Sequence, residues 1–260
     1  MKGALSKLAT AIALVVFLAI PARAEIVQRG TLRVTVLGTL SPQRLPRTGL
    51  APIAVSIGGR VTTTDGSLAP QLKSMRIEFN RRGHLDTRGL PECRIGQIQP
   101  ASTARALKAC RPSLVGKGSF SVDVVLGTQE PYPTTGRLLV FNGKYKGRPA
   151  LLGQIYSAHP FATSFVIPFV LRSIGRGTYG TSLVATLPKA LASWGHVTGL
   201  DMHLSRRYSY RGRRHSFISA GCPAPRGFGR ALFPLARTSF RFAGGKNLKS
   251  TLTRSCRVRG

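Results

Sequence analysis

Apolar and polar positions alternate along most of this chain with a period of two, the pattern of strands that bury one face. Residues 27–37 set Leu32, Val34 and Val36 against Thr31, Arg33 and Thr35. After a proline-containing loop at 41–49, Ile53, Val55 and Ile57 restart the alternation, with Gly58-Gly59 reading as a bulge or bend before Val61. Met75, Ile77 and Phe79 alternate with Arg76, Glu78 and Asn80, and Phe120, Val122, Val124 and Leu126 with Ser119, Ser121 and Asp123. Shorter candidates at 138–141 and 151–156 are separated by turn signals at Asn142-Gly143 and around Gly147. Residues 161–174 are apolar on both faces, as in a strand covered on both sides, with Pro168 implying an edge or bulge. Further alternating runs lie at 182–187, 200–204, 217–220, 240–242 and 248–258. Residues 206–215, RRYSYRGRRH, read as a hairpin with Arg211-Gly212 at its tip.

One stretch, residues 89–118, interrupts the pattern. Ser102 or Thr103 caps a helix that runs from 104 to about 110, where Pro112 stops it, with Ala106, Leu107 and Cys110 on its apolar side. Two helical turns do not hold together alone in water. The stretch therefore reads as an insert clipped by a disulfide and braced against a sheet. About ten to twelve strands with no strand–helix alternation exclude a parallel α/β sheet. The expectation is one mainly β domain over residues 25–260, either an antiparallel β-sandwich or a strongly curved half-barrel, with one short disulfide-clipped helix. No fixed-period repeat suggests a propeller or solenoid.

The N-terminus changes how the rest is read. Lys2 and Lys7 precede or flank an apolar run of about 13 residues at 8–20, and Ala22-Arg23-Ala24 follows Pro21 as a small-x-small cleavage pattern. The run is shorter than the roughly 18 residues that span a bilayer. A signal peptide over residues 1–24 and an exported mature chain beginning at Glu25 are expected. Four cysteines without a CxxC pair then read as two disulfides. Of the three connectivities, Cys93–Cys110 with Cys222–Cys256 closes two local loops and is the one expected; each would add roughly 3 to 4 kcal/mol in the chain-entropy model.

Charge adds a class of partner. The chain has 39 Lys+Arg against 8 Asp+Glu; without Lys2, Lys7 and Arg23 of the leader, 36 basic side chains face 8 acidic ones, a formal charge of about +28. Such a surface attracts anions, whether lipid headgroups or acidic wall polymers. Export sets intracellular nucleic acid aside as a partner. Arg outnumbers Lys about three to one, a bias that genome-wide codon usage can also produce, so the charge by itself selects no ligand. The best interaction candidate is the hairpin, where Arg206, Arg207, Arg211, Arg213 and Arg214 surround Tyr208 and Tyr210. Guanidinium forks bind phosphate or carboxylate in pairs of hydrogen bonds, and tyrosine rings stack on sugars or sit at lipid interfaces.

Signals for catalysis are sparse. There is no G-x-S-x-G, residues 180–183 being the nearest approach, and no HExxH. His84 with Asp86 and Asp201 with His203 each place an imidazole and a carboxylate on one face of an extended segment. Together they offer four metal ligands or an acid/base pair, and an envelope hydrolase built on either is the alternative function. Solvated side chains, with Asp65, Glu78, Asp86 and Asp123 partnering arginines, are the simpler reading. No cofactor or metal is expected.

The pattern Gly89-Leu90-Pro91, Cys93, Cys110 and Leu114-Val115-Gly116-Lys117-Gly118 resembles a group of exported, uncharacterised bacterial proteins. The resemblance covers about thirty residues together with the leader and the strand texture; it implies export and one structural disulfide and carries no activity. The expectation is a non-enzymatic binding module of the cell envelope that associates with an anionic polymer or lipid surface and holds an apolar ligand inside a curled sheet. A structural or adhesive module without ligand is the other alternative.

Overall fold

A computed structural model describes residues 24–159 and 162–259. The signal peptide expected over 1–24 lies, up to Arg23, outside the described residues. One antiparallel sheet dominates, formed by β1 (Glu25–Arg29), β2 (Leu32–Ser41), β5 (Ala54–Thr63), β6 (Leu72–Asn80), β8 (Leu114–Val124), β9 (Tyr132–Tyr145), β10 (Arg148–Ser157), β11 (Thr163–Ser173), β12 (Tyr179–Thr186), β13 (Gly195–Leu204), β17 (Arg230–Phe242) and β18 (Asn247–Val258). The two-residue β3 (Arg44–Leu45) joins β18 in parallel. The order is β1-β2-β5-β13-β8-β9-β10-β11-β12-β6-β17-β18-β3, thirteen strands in one curled half-barrel. A small sheet of β4 (Ala51–Pro52), β16 (Ile218–Ala220) and β7 (Gly83–Leu85) packs into the same core, and β14 (Arg207–Tyr210) pairs with β15 (Arg213–Ser216) as a separate hairpin.

The period-two pattern turns one side of each strand inward. Leu32, Val34, Val36, Val55, Ile57, Met75, Ile77, Phe120, Val122 and Leu252 are buried in one apolar core. A single sheet buries both sides of a core only by curling on itself. Here β18 comes back to β1 and β2 through side chains: Arg254 Nε donates to Gly38 O at 2.6 Å, and its Nη1 lies 3.6 Å from Glu25 Oε1. Burial lowers the Arg254 pKa, and the Glu25 carboxylate pulls it back up. Among the described residues two apolar hollows lie within the curl, each of about 30 Å³, room for roughly two waters.

The insert covers the outer side over β9–β11. There Leu139, Phe141, Leu152 and Val166 are buried by the insert through Cys93, Ile98, Ala101, Ala106 and Cys110. This is why residues 138–141 and 165–170 are apolar on both faces. Burial of this kind contributes roughly 1.5 to 3 kcal/mol per large side chain. The insert comprises α1 (Ile95–Ile98) and α2 (Thr103–Cys110), with Ser102 Oγ accepting from Arg105 N at the start of α2 and Pro112 in the 3₁₀ turn that ends it. A further short helix, α3 (Lys189–Trp194), precedes β13. Both disulfides join the expected cysteines, Cys93–Cys110 and Cys222–Cys256. No helix among the described residues is long and apolar enough to cross a membrane.

Three local expectations change. The run 27–37 is divided by a turn at Gly30 into β1 and β2. Gly58-Gly59 is no bulge, because β5 keeps unbroken register with β2 and β13; a Cβ at Gly58 would lie 2.4 Å from Asp201 Oδ1, so the glycine makes room for that carboxylate. Asn142-Gly143 is no turn either: β9 runs through it, and Lys146-Gly147 turns the chain with φ of 50° and 74°. Asn142 Nδ2 donates to Leu90 O at 3.3 Å and Pro91 O at 3.0 Å, Cys93 N donates to Asn142 O at 2.8 Å, and a Cβ at Gly143 would stand 2.5 Å from Cys93 O. The pair seats the insert on the sheet. Pro168 does sit at an edge, since residues 163–168 of β11 pair with β10 and the β12 ladder starts at Phe169.

Asn142→Ala strips one buried and one part-buried carbonyl of their donor, so it should cost about 1 to 3 kcal/mol. Lys144→Ala removes the half-exposed Glu92–Lys144 pair (2.9 Å) and should cost about 1 kcal/mol or less. Urea unfolding with disulfides intact checks the contrast; equal losses would contradict this docking role.

Candidate functional site

The strictly alternating strand directions put connections at two ends of the half-barrel. One rim carries segments 42–53, 81–113, 146–147, 174–178, 205–229 and Arg259; the other carries 30–31, 64–71, 125–131, 158–159 with 162, 187–194 and 243–246. The first set holds 18 Lys+Arg and 2 Asp+Glu, 14 of the basic residues lying outside the insert 94–113 that extends over the outer face of β9–β11, whereas the second holds 2 Lys and 2 acids. The first set is also longer, 58 residues without the insert against 32, yet about one residue in four is basic there and one in sixteen at the other end, so neither length nor a chain-wide arginine bias alone accounts for the asymmetry.

The hairpin stands on this basic rim. Arg211 and Gly212 take positive φ (50° and 70°) at its tip, the two-residue turn that matches strand twist. Cross-strand pairs are Arg207 with Ser216, Tyr208 with His215, Ser209 with Arg214 and Tyr210 with Arg213. One face docks: Tyr208 OH donates to Asp86 O (3.2 Å) and Arg88 O (2.9 Å), and its ring stacks on His215. The Tyr210 ring lies where a Gly89 Cβ would be, 2.2 Å from its nearest atom, and Arg211 lies over that ring at 5.3 Å. The tyrosines thus hold the hairpin down. Arg206 sits half-buried at the root, where its carbonyl accepts from Phe217 N, and Arg213 is exposed.

Arg207, Ser209 and Arg214 of the other face line a groove of about 540 Å³ together with Arg259, Pro42, Pro52 and the edges of Tyr208 and His215. No carboxylate lines it, and none lies within 4 Å of Arg207, Arg214 or Arg259 among the described residues. A second outer-face groove of about 700 Å³ carries Arg76, Arg237, Arg241 and Lys249, but also Glu78. Arg237 Nε donates to Glu78 Oε2 at 2.6 Å and its guanidinium covers the Tyr179 ring. That groove is partly neutralised from within.

The two His/Asp pairs do not form hydrogen-bonded dyads. Asp86 is bound by Arg88 Nε (3.0 Å) and Nη2 (3.1 Å), and the imidazole beside it is that of His215, at 3.4 Å, while His84 is exposed. Asp201 pairs with Arg60 (2.7 Å) and His203 Nδ1 with Ser56 Oγ (2.9 Å). No group of three or more His, Cys, Asp or Glu able to hold a metal occurs among the described residues. Asp65 hydrogen-bonds to Ser67, and Asp123 lies beside His196 in the β8–β13 register, its pKa raised by burial. Arg259 was the component of the groove that sequence spacing did not reveal, since it meets the hairpin only through the fold. Comparison with protein-family models, curated proteins and solved structures finds no match to this chain.

The hydrogen bond from Arg88 holds Asp86 down at about 2, against the opposing effect of burial, below the ordinary value of about 3.9. A carboxylate depressed in the folded state stabilises it above the unfolded pKa, and that contribution disappears as pH falls. The stability difference between wild type and Asp86→Asn should therefore be full above about pH 4 and shrink toward pH 2. Thermal unfolding at stepped pH measures it; a difference independent of pH would contradict the assignment.

Proposed function

We propose that this protein is an exported, non-enzymatic module of the cell envelope whose basic rim binds anionic envelope components. The contrast between a rim with 14 basic and 2 acidic residues, the insert apart, and one with 2 of each carries this reading. Two formed disulfides fit an oxidising compartment, and the envelope is an oxidising place rich in phosphate and carboxylate. The hairpin groove is the best-defined receptor on the rim. Arg207, Arg214 and Arg259 offer guanidinium forks without a competing carboxylate lining, the donor geometry suited to bidentate phosphate or carboxylate recognition. In this reading the half-barrel interior serves as core, its hollows of about 30 Å³ being far below ligand size.

Replacing both Arg207 and Arg214 with Gln should weaken binding to soluble polyphosphate at low salt. The slope of log affinity against log salt should fall by roughly one for each lost phosphate contact. Titrations across a salt series read both; unchanged affinity and slope would remove the groove from the binding surface.

A further inference from the structure

The basic rim also carries exposed apolar side chains. Phe228 is 65% and Leu232 76% exposed, and they flank Arg230 at alternate positions. In β17, Arg230 and Leu232 share a face. The preceding loop is already ordered in the free protein. Arg47 donates to the carbonyls of Ala224, Pro225 and Phe228, Phe228 N donates to Pro225 O at 3.2 Å, and Val258 N donates to Gly229 O at 2.8 Å. The Cys222–Cys256 bond fixes its base. Phe228 is therefore held outward by a braced loop and is not a core residue left loose.

Beside these side chains, three adjacent strands place arginine against arginine. Arg230 is the cross-strand partner of Arg257, and Arg257 that of Arg44. No carboxylate lies within 4 Å of any of them among the described residues. Like charges set directly opposite each other repel, so this row is unfavourable in isolation and is relieved by an anion. A soluble polyanion would satisfy the arginines and leave Phe228 and Leu232 in water. A bilayer of anionic lipid satisfies both, with phosphates on the arginine row and hydrocarbon beneath the apolar pair.

We infer that the corner formed by Phe228, Arg230, Leu232, Arg257 and Arg44 docks the protein on an anionic lipid surface, with Phe228 and Leu232 entering the headgroup layer. This rests on the anion-binding reading of the rim and narrows its partner from envelope anions in general to lipid.

The test uses vesicles of phosphatidylglycerol with phosphatidylcholine, neutral phosphatidylcholine vesicles, and polyphosphate as the soluble anion. In Phe228→Trp, brominated acyl chains in the anionic vesicles should quench the new indole while Trp194, on the opposite rim, serves as the unquenched reference. The double variant Phe228→Ser, Leu232→Ser changes two exposed residues and should lower affinity for anionic vesicles on the order of tenfold or more, with polyphosphate affinity unchanged. Absence of quenching with unaltered vesicle affinity would overturn lipid docking, and retained polyphosphate binding would then leave the anionic rim standing. Failure to bind either vesicles or polyphosphate would overturn both.

Discussion

Strict antiparallel order in a single curled sheet is the constraint from which the other features follow. Each of the twelve long strands reverses its neighbour, so successive connections fall at opposite ends, and the ends are free to differ. In this protein they differ in charge by twelve, the insert apart, counting Lys and Arg against Asp and Glu. The few acids do not offset this. Glu78, Asp86, Glu92, Asp201 and Glu25 are engaged with specific basic partners, which leaves most of the rim arginines without a carboxylate. Strand polarity thus becomes electrostatic polarity.

The insert and the basic hairpin, far apart in sequence, form one construction. Asn142 and Gly143 seat residues 90–93 against β9, and Gly89 in turn provides the flat spot on which the Tyr210 ring rests. Asp86, held ionised by Arg88, sits beside His215, and its carbonyl receives the Tyr208 hydroxyl. The insert therefore acts as a brace twice over: it covers the apolar outside of β9–β11 and supports the one element that presents arginines to the groove. Its glycines and cysteines shape backbone, and the charge it supports belongs to the neighbouring hairpin.

Much of the fold was legible because period-two alternation is a local signal. Leu32, Val34 and Val36 or Met75, Ile77 and Phe79 report their inward face without reference to any neighbour. The disulfides and the Arg211-Gly212 tip were legible for the same reason. Closure was not, because the contact that returns β18 to β2 joins Arg254 to Gly38 across most of the chain. Asn142-Gly143 has the composition of a turn and is used for docking, a tertiary demand overriding local preference. The hairpin arginines stood out as a run, but Arg259 and the row Arg44, Arg257 and Arg230 become neighbours only once strand order is known. The rim asymmetry needs the direction of each strand as well as the position of each charge.

The most direct measurement of the central claim is amide hydrogen exchange mapped by mass spectrometry, with and without phosphatidylglycerol vesicles. Binding through the basic rim predicts added protection at residues 206–215, 225–232 and 257–259, with 64–71, 125–131 and 243–246 on the far rim unchanged. Protection spread evenly over both rims, or confined to the outer-face groove of Arg76, Arg237 and Lys249, would contradict it.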